Sequence, residues 1–341
     1  METVYFTGID QHKRTSFLTT LDQDGDIVRS SKLKNNPEAI RAYFRTLPGE
    51  HHATVETTTG WYWMNDLLER EGVDLSLAHA KFVKAISYAK VKTDKVDAHT
   101  LAQLLRVGLI PEAHKIAADM RDVRDTLRAR LHLVEKRTSA QNSIHRVFEK
   151  FNTDSVDDLP ELFRLQADMH SNRAALINEQ IKMIDSTLNH LLLDSENIQR
   201  LLWIPGIGRL NAFTIYLEVD GIQRFADVKN FYSYCRLVPG AHNSGGKTRH
   251  RASKEGNKYL KIAFSHAATR AIQYYPLIKK YYQRMARKKG APIARALVAK
   301  EIAKSVYYVL ESGESYNQLF KGMRLERSKL ASWPRRASPA I

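Results

Sequence analysis

The sequence predicts a protein of the α/β plus α class, in which a sheet with flanking helices is followed by a mostly helical remainder. Strand-like segments alternate with helix-like segments in the first third of the chain. From about Asp119 onward, apolar residues instead follow helical spacing over long stretches. The length of 341 residues is enough for two or three domains.

The chain begins with a predicted antiparallel meander. Residues 4–10 and 15–21 are rich in β-branched and aromatic side chains, which are typical of strands. Asp24-Gly25-Asp26 is a turn signal, and residues 27–30 continue as a third strand.

Helices and strands alternate after the meander. Residues 52–56 form a short predicted strand that ends in Glu56, residues 61–68 a helix, and residues 73–78 a further strand. Such alternation implies parallel neighbouring strands joined by crossovers. Functional groups in such sheets collect at the carboxyl ends of the strands, where Asp10 and Glu56 both lie.

Asp94 and Asp97 open the next predicted helix. Residues three positions apart on a helix are surface neighbours, with Cβ atoms roughly 5–6 Å apart. Alone, the two aspartates could simply complement the helix dipole. Together with Asp10 and Glu56 they make four hard oxygen ligands, the set that suits two Mg²⁺ ions in phosphoryl transfer. We therefore predict that these four residues bind Mg²⁺, as two ions.

Two long amphipathic helices are predicted in the middle of the chain. The first shows an apolar face between Met120 and Phe148, and a break follows near Asn152. The second carries apolar residues at heptad spacing, namely Ile177, Ile181, Ile184, Leu188 and Leu191. The pattern fits an antiparallel hairpin within one chain and an oligomerising coiled coil equally well.

The C-terminal part combines helices with two glycine-containing segments. Residues 201–208 resemble a helix-hairpin-helix, whose Pro-Gly-x-Gly turn can contact a nucleic-acid backbone or serve only for helix packing. Residues 236–251 read as a loop by composition, with Ser244 among glycines and basic residues. Ser244 could be a turn residue, a phosphate ligand or a nucleophile, although the sequence shows no obvious local base to activate it. Residues 324–341 are predicted to be a disordered basic tail.

The charge balance predicts a polyanionic partner. Lysine and arginine number 53 against 37 acidic residues, which gives a net charge of +16, and such a surplus is typical of nucleic-acid-binding proteins. The single cysteine, Cys235, excludes an intrachain disulfide and a cysteine-rich zinc site. We see neither a signal peptide nor an apolar stretch of the ~20 residues that a membrane span needs. The expectation is a cytoplasmic protein without a membrane partner.

Four segments together resemble the DEDD transposases of bacterial insertion sequences, in the family named after IS110. These segments are Gly8-Ile9-Asp10, Val55-Glu56-Thr57, Lys92-Thr93-Asp94-Lys95-Val96-Asp97-Ala98 and the Leu237-Val238-Pro239…Ser244-Gly245-Gly246-Lys247 loop. The resemblance runs from Val4 to about Leu310. Arg236 departs from it, because such proteins are expected to have a glycine before Leu-Val-Pro.

The resemblance implies a fold and a set of roles. Residues 1–115 would be an RNase H-like (RuvC-like) catalytic domain, 116–197 a coiled coil used in assembly, and 198–323 a transposase domain. Asp10, Glu56, Asp94 and Asp97 would hold Mg²⁺. Ser244 would be the nucleophile that forms a transient phosphoserine link to DNA, in a site that two subunits of a dimer or tetramer complete.

The resemblance also implies partners. A structured guide RNA, the bridge RNA, would pair with target and donor DNA, and the protein would act in the bacterial cytoplasm in association with the nucleoid. The basic residues near Ser244 are candidates for nucleic-acid contact by density alone; they are Lys247, Arg249, Arg251, Lys254 and Lys258. Two alternatives stay open: a junction endonuclease that uses water as nucleophile, and a non-catalytic nucleic-acid-binding assembly protein.

Overall fold

The computed structural model describes residues 3–86, 93–244, 247–252 and 255–319, and the side chains of residues 241–252 are outside this description. The chain divides into two compact units, Met1–Ile116 and Ala117–Ile341. Within the described ranges, every helix is too short or too polar to cross a membrane.

The first unit is built on a mixed five-stranded sheet. Its strands have the order β3-β2-β1-β4-β5. The β1/β2 and β2/β3 pairs are antiparallel, whereas β1/β4 and β4/β5 are parallel. Its elements are β1 (Val4–Gln11), β2 (Thr15–Leu21), β3 (Ile27–Lys34), α1 (Pro37–Arg45), β4 (Glu50–Glu56), α2 (Trp61–Arg70), β5 (Asp74–Ala78), α3 (Ala80–Ile86) and α4 (Asp94–Arg106). This arrangement confirms the predicted meander and the predicted parallel pairs.

The two faces of this sheet are covered by different helices. One face carries the core that includes Ile9 and Val55 of the central strands, Phe44 of α1 and Met64 of α2. The opposite face is covered by α4, which lies across β1 and β2. Alternation along β1 therefore sends Ile9 into one layer and turns Gly8 and Asp10 toward the layer of α4.

The second unit is mostly helical. Its elements are α5 (Ala118–Phe151), α6 (Glu161–Leu192), α7 (Glu196–Leu202), α8 (Arg209–Val219), α9 (Val228–Tyr234), β6 (Pro239–Ser244), β7 (Lys247–Ala252), α10 (Lys258–Tyr274), α11 (Pro276–Lys289), α12 (Ala291–Ser312) and α13 (Tyr316–Leu319). With the mixed sheet of the first unit, these helices confirm the α/β plus α class.

Helices α5 and α6 pack against each other within the chain. Arg130 of α5 forms an ion pair with Asp185 of α6 at 2.8 Å, and Arg137 donates to the Asn178 side chain. The heptad residues Ile177, Ile181 and Leu188 are buried. The intrachain hairpin, one of the two options that the sequence left open, is therefore formed.

The Pro-Gly-x-Gly turn between α7 and α8 packs tightly. Gly206 has a φ of +86°, and a Cβ there would come within 2.2 Å of the Ala267 backbone oxygen in α10. Ile204 and Ile207 on either side are buried. Packing between helices accounts for Gly206, whereas Gly208 has open space where a Cβ would be.

Candidate active site

The candidate site is built on a row of residues that are paired across neighbouring strands of the sheet. Asp10 on β1 is paired with Phe17 on β2, and Phe17 is paired with Lys32 on β3. On the other side, Ile9 is paired with Val55 of the parallel β4, so Glu56 lies beside Asp10 as the next residue along. Neighbouring strands are about 4.8 Å apart, and paired residues point to the same face. Glu56, Asp10 and Lys32 therefore all belong to the face that α4 covers.

Gly8 allows α4 to approach this row closely. A Cβ at Gly8 would lie 2.0 Å from the Ala98 oxygen and 2.5 Å from the Ala102 nitrogen, both backbone atoms of α4. Real Cβ atoms do not approach backbone that closely, so any larger residue would push the helix away. The glycine of the Gly-Ile-Asp motif thus brings the first turn of α4 next to Asp10.

The first turn of α4 carries the other two predicted ligands. Thr93 is the N-cap, with extended backbone and a side-chain oxygen that accepts from the Val96 amide. Asp94 is the first helical residue, and Asp97 follows three positions later on the same face. Their negative charges also suit the positive end of the helix dipole.

Asp10 and Asp94 converge on one histidine. The His12 Nε2 atom lies 3.3 Å from Asp10 Oδ2 and 3.3 Å from Asp94 Oδ1. Lys32 Nζ lies 3.3 Å from the other Asp94 oxygen. The Asp10 side chain is 21% exposed and that of Asp94 37%, so both carboxylates are open to solvent.

Two hydrogen-bonding neighbours of Asp94 affect its ionisation. The hydrogen bond from Lys32, and next that from His12, hold the pKa of the Asp94 carboxyl below its usual value. Asp94 is therefore ionised at neutral pH, which is the form that coordinates a metal ion.

The donor set fits a divalent metal ion. One ligand atom from each of Asp10, His12 and Asp94 lies within 4.8 Å of the others, the only such group in the described ranges. Two carboxylates this close repel each other unless a cation lies between them. Here Lys32 supplies a positive charge beside Asp94. Oxygen-rich sets of this kind suit Mg²⁺ or Mn²⁺.

The predicted ligands Glu56 and Asp97 are not part of this tight group. Glu56 ends β4 beside Asp10, and Asp97 lies one helical turn after Asp94. Among the described residues, the tight group contains Asp10 and Asp94 together with His12, and the metal-binding roles of Glu56 and Asp97 stay predictions.

Sequence reasoning missed His12 and Lys32. His12 lies two residues after Asp10, and the Asp-x-His spacing was an available signal. Lys32 could not be found without the register of the meander, which sets it in the same row as Asp10.

The predicted serine loop is instead a β-hairpin. The loop assignment over 236–251 was wrong, because Pro239–Ser244 and Lys247–Ala252 pair as antiparallel strands with Ser244 opposite Lys247. The pair Gly245-Gly246 between them is a strong hairpin signal. Ser244 is thus the last residue of β6.

The basic residues near Ser244 that we predict to contact nucleic acid lie on β7, in the segment after it and at the start of α10. Lys247, Arg249 and Arg251 lie on β7, and their side chains, like that of Ser244, are outside the described part of the structure. Lys254 is also outside the described residues. Lys258 begins α10, and its Nζ lies 4.9 Å from the centre of the Tyr259 ring.

Arg236 occupies a backbone position that favours glycine. Its φ is +55°, in the left-handed region. Its side chain donates to the Gly256 carbonyl at 2.7 Å, which ties the segment before β6 to the segment after β7. The expected glycine therefore matches the backbone, and the arginine adds a cross-link in its place.

A buried carboxylate in the second unit also escaped sequence reasoning. Glu218 of α8 is fully buried. Arg128 of α5 binds both of its oxygens, at 2.6 and 2.8 Å, and Arg124 forms a further ion pair at 3.3 Å. Asn257 donates to it at 2.6 Å while its own oxygen caps α10. This Glu218 cluster joins α5, α8 and the start of α10.

Comparison with known proteins decides the family. A model of IS110-type DEDD transposases, described as "Transposase", matches residues 7–153. A second model, the transposase IS116/IS110/IS902 family, matches residues 198–283. The first match contains Asp10, Glu56, Asp94 and Asp97, and the second contains Ser244. The chain belongs to the IS110 family of insertion-sequence transposases.

Curated relatives extend this similarity over most of the chain. A probable family 20 transposase of Pseudomonas aeruginosa is 24% identical, over 78% of this chain and 83% of the relative. The transposase of IS1328 from Yersinia enterocolitica is 25% identical, over 76% and 82%. That of IS1111A from Coxiella burnetii is 24% identical, over 80% and 79%. As an IS110-type transposase, the protein is an enzyme of DNA transposition.

Proposed function

We propose that this transposase cuts and rejoins DNA by metal-assisted phosphoryl transfer, with Asp10, Glu56, Asp94 and Asp97 as metal ligands in an RNase H-like domain. The observation that carries the proposal is the convergence of Asp10 and Asp94, from β1 and α4, on His12 at 3.3 Å each. A mixed sheet with carboxylates at the ends of β1 and β4 is in keeping with that fold.

Each residue around the cluster has a defined task in this proposal. Gly8 lets α4 reach the sheet, and Thr93 fixes the start of that helix. Lys32 holds the Asp94 carboxylate by its positive charge, and His12 Nε2 contacts the carboxylates of both Asp10 and Asp94. When bound, Mg²⁺ would supply charge stabilisation for the attacking and leaving oxygens of the transferred phosphate.

Ser244 is the proposed nucleophile. Its hydroxyl oxygen would attack the phosphorus of a DNA phosphodiester, and its proton would pass to solvent or a neighbouring base. The bond from phosphorus to the leaving deoxyribose oxygen would break, which leaves a phosphoserine link. Attack on that link by a second DNA hydroxyl would rejoin the strand and restore the serine, so the cycle balances without an outside energy source.

Assembly is part of the proposal, because two subunits would complete the site. Helix α6 carries a second apolar stripe that its partner α5 does not cover. Its members step by seven residues and are 61–71% exposed: Leu162, Met169, Leu176 and Met183. A heptad stripe of this kind fits a coiled-coil contact with another copy.

A structured guide RNA is proposed as the source of sequence specificity. The net charge of +16 fits a protein that contacts two polyanions through their backbones. Base pairing between the RNA and the target and donor DNA would then select the sites.

The test compares wild type with Ser244→Ala. Full-length protein, Mg²⁺, RNA from the flanks of the element and end-labelled DNA are incubated and resolved on a denaturing gel. We expect a protein–DNA adduct that needs Mg²⁺ and is absent from Ser244→Ala. Ser305→Ala, which changes a helical serine of α12, is the matched control and should keep the adduct.

Two outcomes would contradict the proposal. Cleaved DNA without an adduct, in equal amounts from wild type and Ser244→Ala, would indicate a nuclease that uses water. Full activity in Asp10→Asn would remove the metal site from the mechanism and favour a role in nucleic-acid binding and assembly.

A further inference from the structure

A cleft lies beside the carboxylates at the carboxyl ends of β1 and β4. It has a volume of about 430 Å³ and is lined by residues that follow both strands, including His12, Lys13, Thr58 and Thr59. Trp63 of α2 forms another part of its wall. In sheets with parallel strands, ligands bind in crevices at this end.

The cleft adjoins the metal-binding group through one residue. His12 lines the cleft and also contacts Asp10 and Asp94. A group bound in the cleft would therefore lie next to the phosphate on which these carboxylates act.

The side chains of the cleft suit one class of ligand. Trp63 offers an aromatic surface that is only partly buried, and bases of any sequence stack on such surfaces. The exposed hydroxyls of Thr58 and Thr59 make no hydrogen bond to the rest of the described chain. Lys13 is an exposed cation, and no carboxylate of a described residue lines the cleft.

We propose that this cleft binds one unpaired nucleotide of the DNA strand next to the scissile phosphate. The base stacks on Trp63, the threonine hydroxyls contact the edge of the base or its sugar, and Lys13 contacts the adjoining phosphate. A volume of about 430 Å³ lies within the range of small-ligand pockets, about 300–1,000 Å³. This inference rests on the proposed function, because it assumes that the neighbouring carboxylates act on DNA.

Stacking makes the contribution of Trp63 measurable. Loss of one base–aromatic stack weakens binding by about 5- to 150-fold. We expect Trp63→Ala to show that loss with a short single-stranded oligothymidylate, in fluorescence anisotropy without divalent metal. Trp63→Phe should recover most of the affinity. Tyr62→Ala, an aromatic change on the same helix outside the cleft wall, should bind like wild type.

An abasic oligonucleotide separates stacking from misfolding. Wild type and Trp63→Ala should bind it equally, because it has no base to stack. If Trp63→Ala loses the same factor of affinity for both oligonucleotides, the variant has damaged the fold or a backbone contact, and the stacking assignment is wrong. Equal binding of oligothymidylate by wild type and Trp63→Ala would overturn it as well.

Photocross-linking locates the base directly. DNA with 5-iododeoxyuridine should cross-link to the peptide that contains Trp63, and an RNA strand with 5-iodouridine should do so more weakly. A cross-link elsewhere, or one formed preferentially by RNA, would overturn the assignment to DNA. Neither readout needs cleavage, so absence of the phosphoserine adduct would count against the proposed function and not against the cleft.

Discussion

The two carboxylate clusters of this molecule differ in how deeply they are buried. In the first unit, Asp10 and Asp94 are partly exposed and share the single Nε2 atom of His12 at 3.3 Å. In the second unit, Glu218 is fully buried and receives bonds of 2.6–2.8 Å from Arg128 and Asn257. The first arrangement leaves its carboxylates open to a metal ion from solvent, whereas Arg128 already binds both oxygens of the buried Glu218.

The difference separates a reactive carboxylate from a structural one. A buried carboxylate needs fixed donors on both oxygens, because desolvation disfavours its charge. An exposed pair held at longer distances loses little when a partner is replaced. Replacing Glu218 should therefore affect mainly folding, whereas replacing Asp10 or Asp94 should affect mainly metal binding. The following changes test this expectation.

The largest effect is expected from Glu218→Ala. Removing the acid leaves Arg124 and Arg128 without their buried partner, which typically costs about 3–5 kcal/mol. Urea unfolding followed by circular dichroism measures the loss. Glu179→Ala is the control, since Glu179 pairs with Lys182 on the surface of α6 and exposed pairs contribute at most about 1 kcal/mol. Equal losses in the two variants would contradict a structural role for the Glu218 cluster.

A smaller loss is expected from Gly8→Ala. The added methyl group would meet the α4 backbone at 2.0 Å, and overpacking of this kind costs about 1–3 kcal/mol. Because α4 must move, metal binding should weaken along with the unfolding midpoint. Gly208→Ala serves as the comparison, as open space surrounds that position. If Gly8→Ala kept full metal affinity, the close approach of α4 would not be what positions Asp94.

Acid should reduce the difference in stability between wild type and Glu218→Gln. Burial by itself would raise the pKa of Glu218, but the hydrogen bond from Arg128 and the charges of Arg124 and Arg128 outweigh it and lower that pKa. A lowered folded-state pKa gives stability that is complete above the unfolded value of about 4.3 and is lost as the pH falls through the folded value. Thermal unfolding at neutral pH and at about pH 3 should show that the difference in unfolding midpoint between the two proteins becomes smaller in acid. A difference that becomes larger in acid would contradict a lowered pKa for Glu218.

The smallest effect is expected from Arg236→Gly. Glycine relieves a left-handed backbone that costs other residues about 1–2 kcal/mol, but the change removes the hydrogen bond to Gly256, worth about 1 kcal/mol. The two contributions nearly cancel, so chemical denaturation should detect a shift of at most about 1 kcal/mol in either direction. A larger loss would mean that the side chain of Arg236 stabilises the hairpin by more than this bond.

Much of the first unit could be predicted from the sequence, because the spacing of apolar residues in its strands differs from that in its helices. The positions of Asp10 one residue before the end of β1, of Glu56 at the end of β4 and of Asp94 at the start of α4 followed closely from alternation and position alone. His12 and Lys32 could not be assigned in the same way. Their contacts depend on the register of β1, β2 and β3, which brings Lys32 and Asp10 into one row.

The second unit was harder to predict, because its decisive contacts join distant segments. Glu218 lies between Leu217 and Val219 in an apolar helix, and nothing local marks it as buried with Arg128 and Asn257. The segment around Ser244 forms a hairpin, but its many basic residues give it a composition that is typical of a loop. Heptad spacing in α6 predicted a helical contact correctly, but spacing alone could not say whether the partner was α5 or another copy.

The most direct test of the account is calorimetric titration of the full-length protein with Mn²⁺ or Mg²⁺. We predict that wild type binds the ion and that Asp10→Asn and Asp94→Asn each weaken binding by at least about 10–100-fold, the loss typical even for residues that only support a metal ligand. Neither change should lower the unfolding midpoint in the absence of metal. Glu179→Gln should bind like wild type. Unchanged affinity in both aspartate variants would contradict the metal site and with it the proposed mechanism.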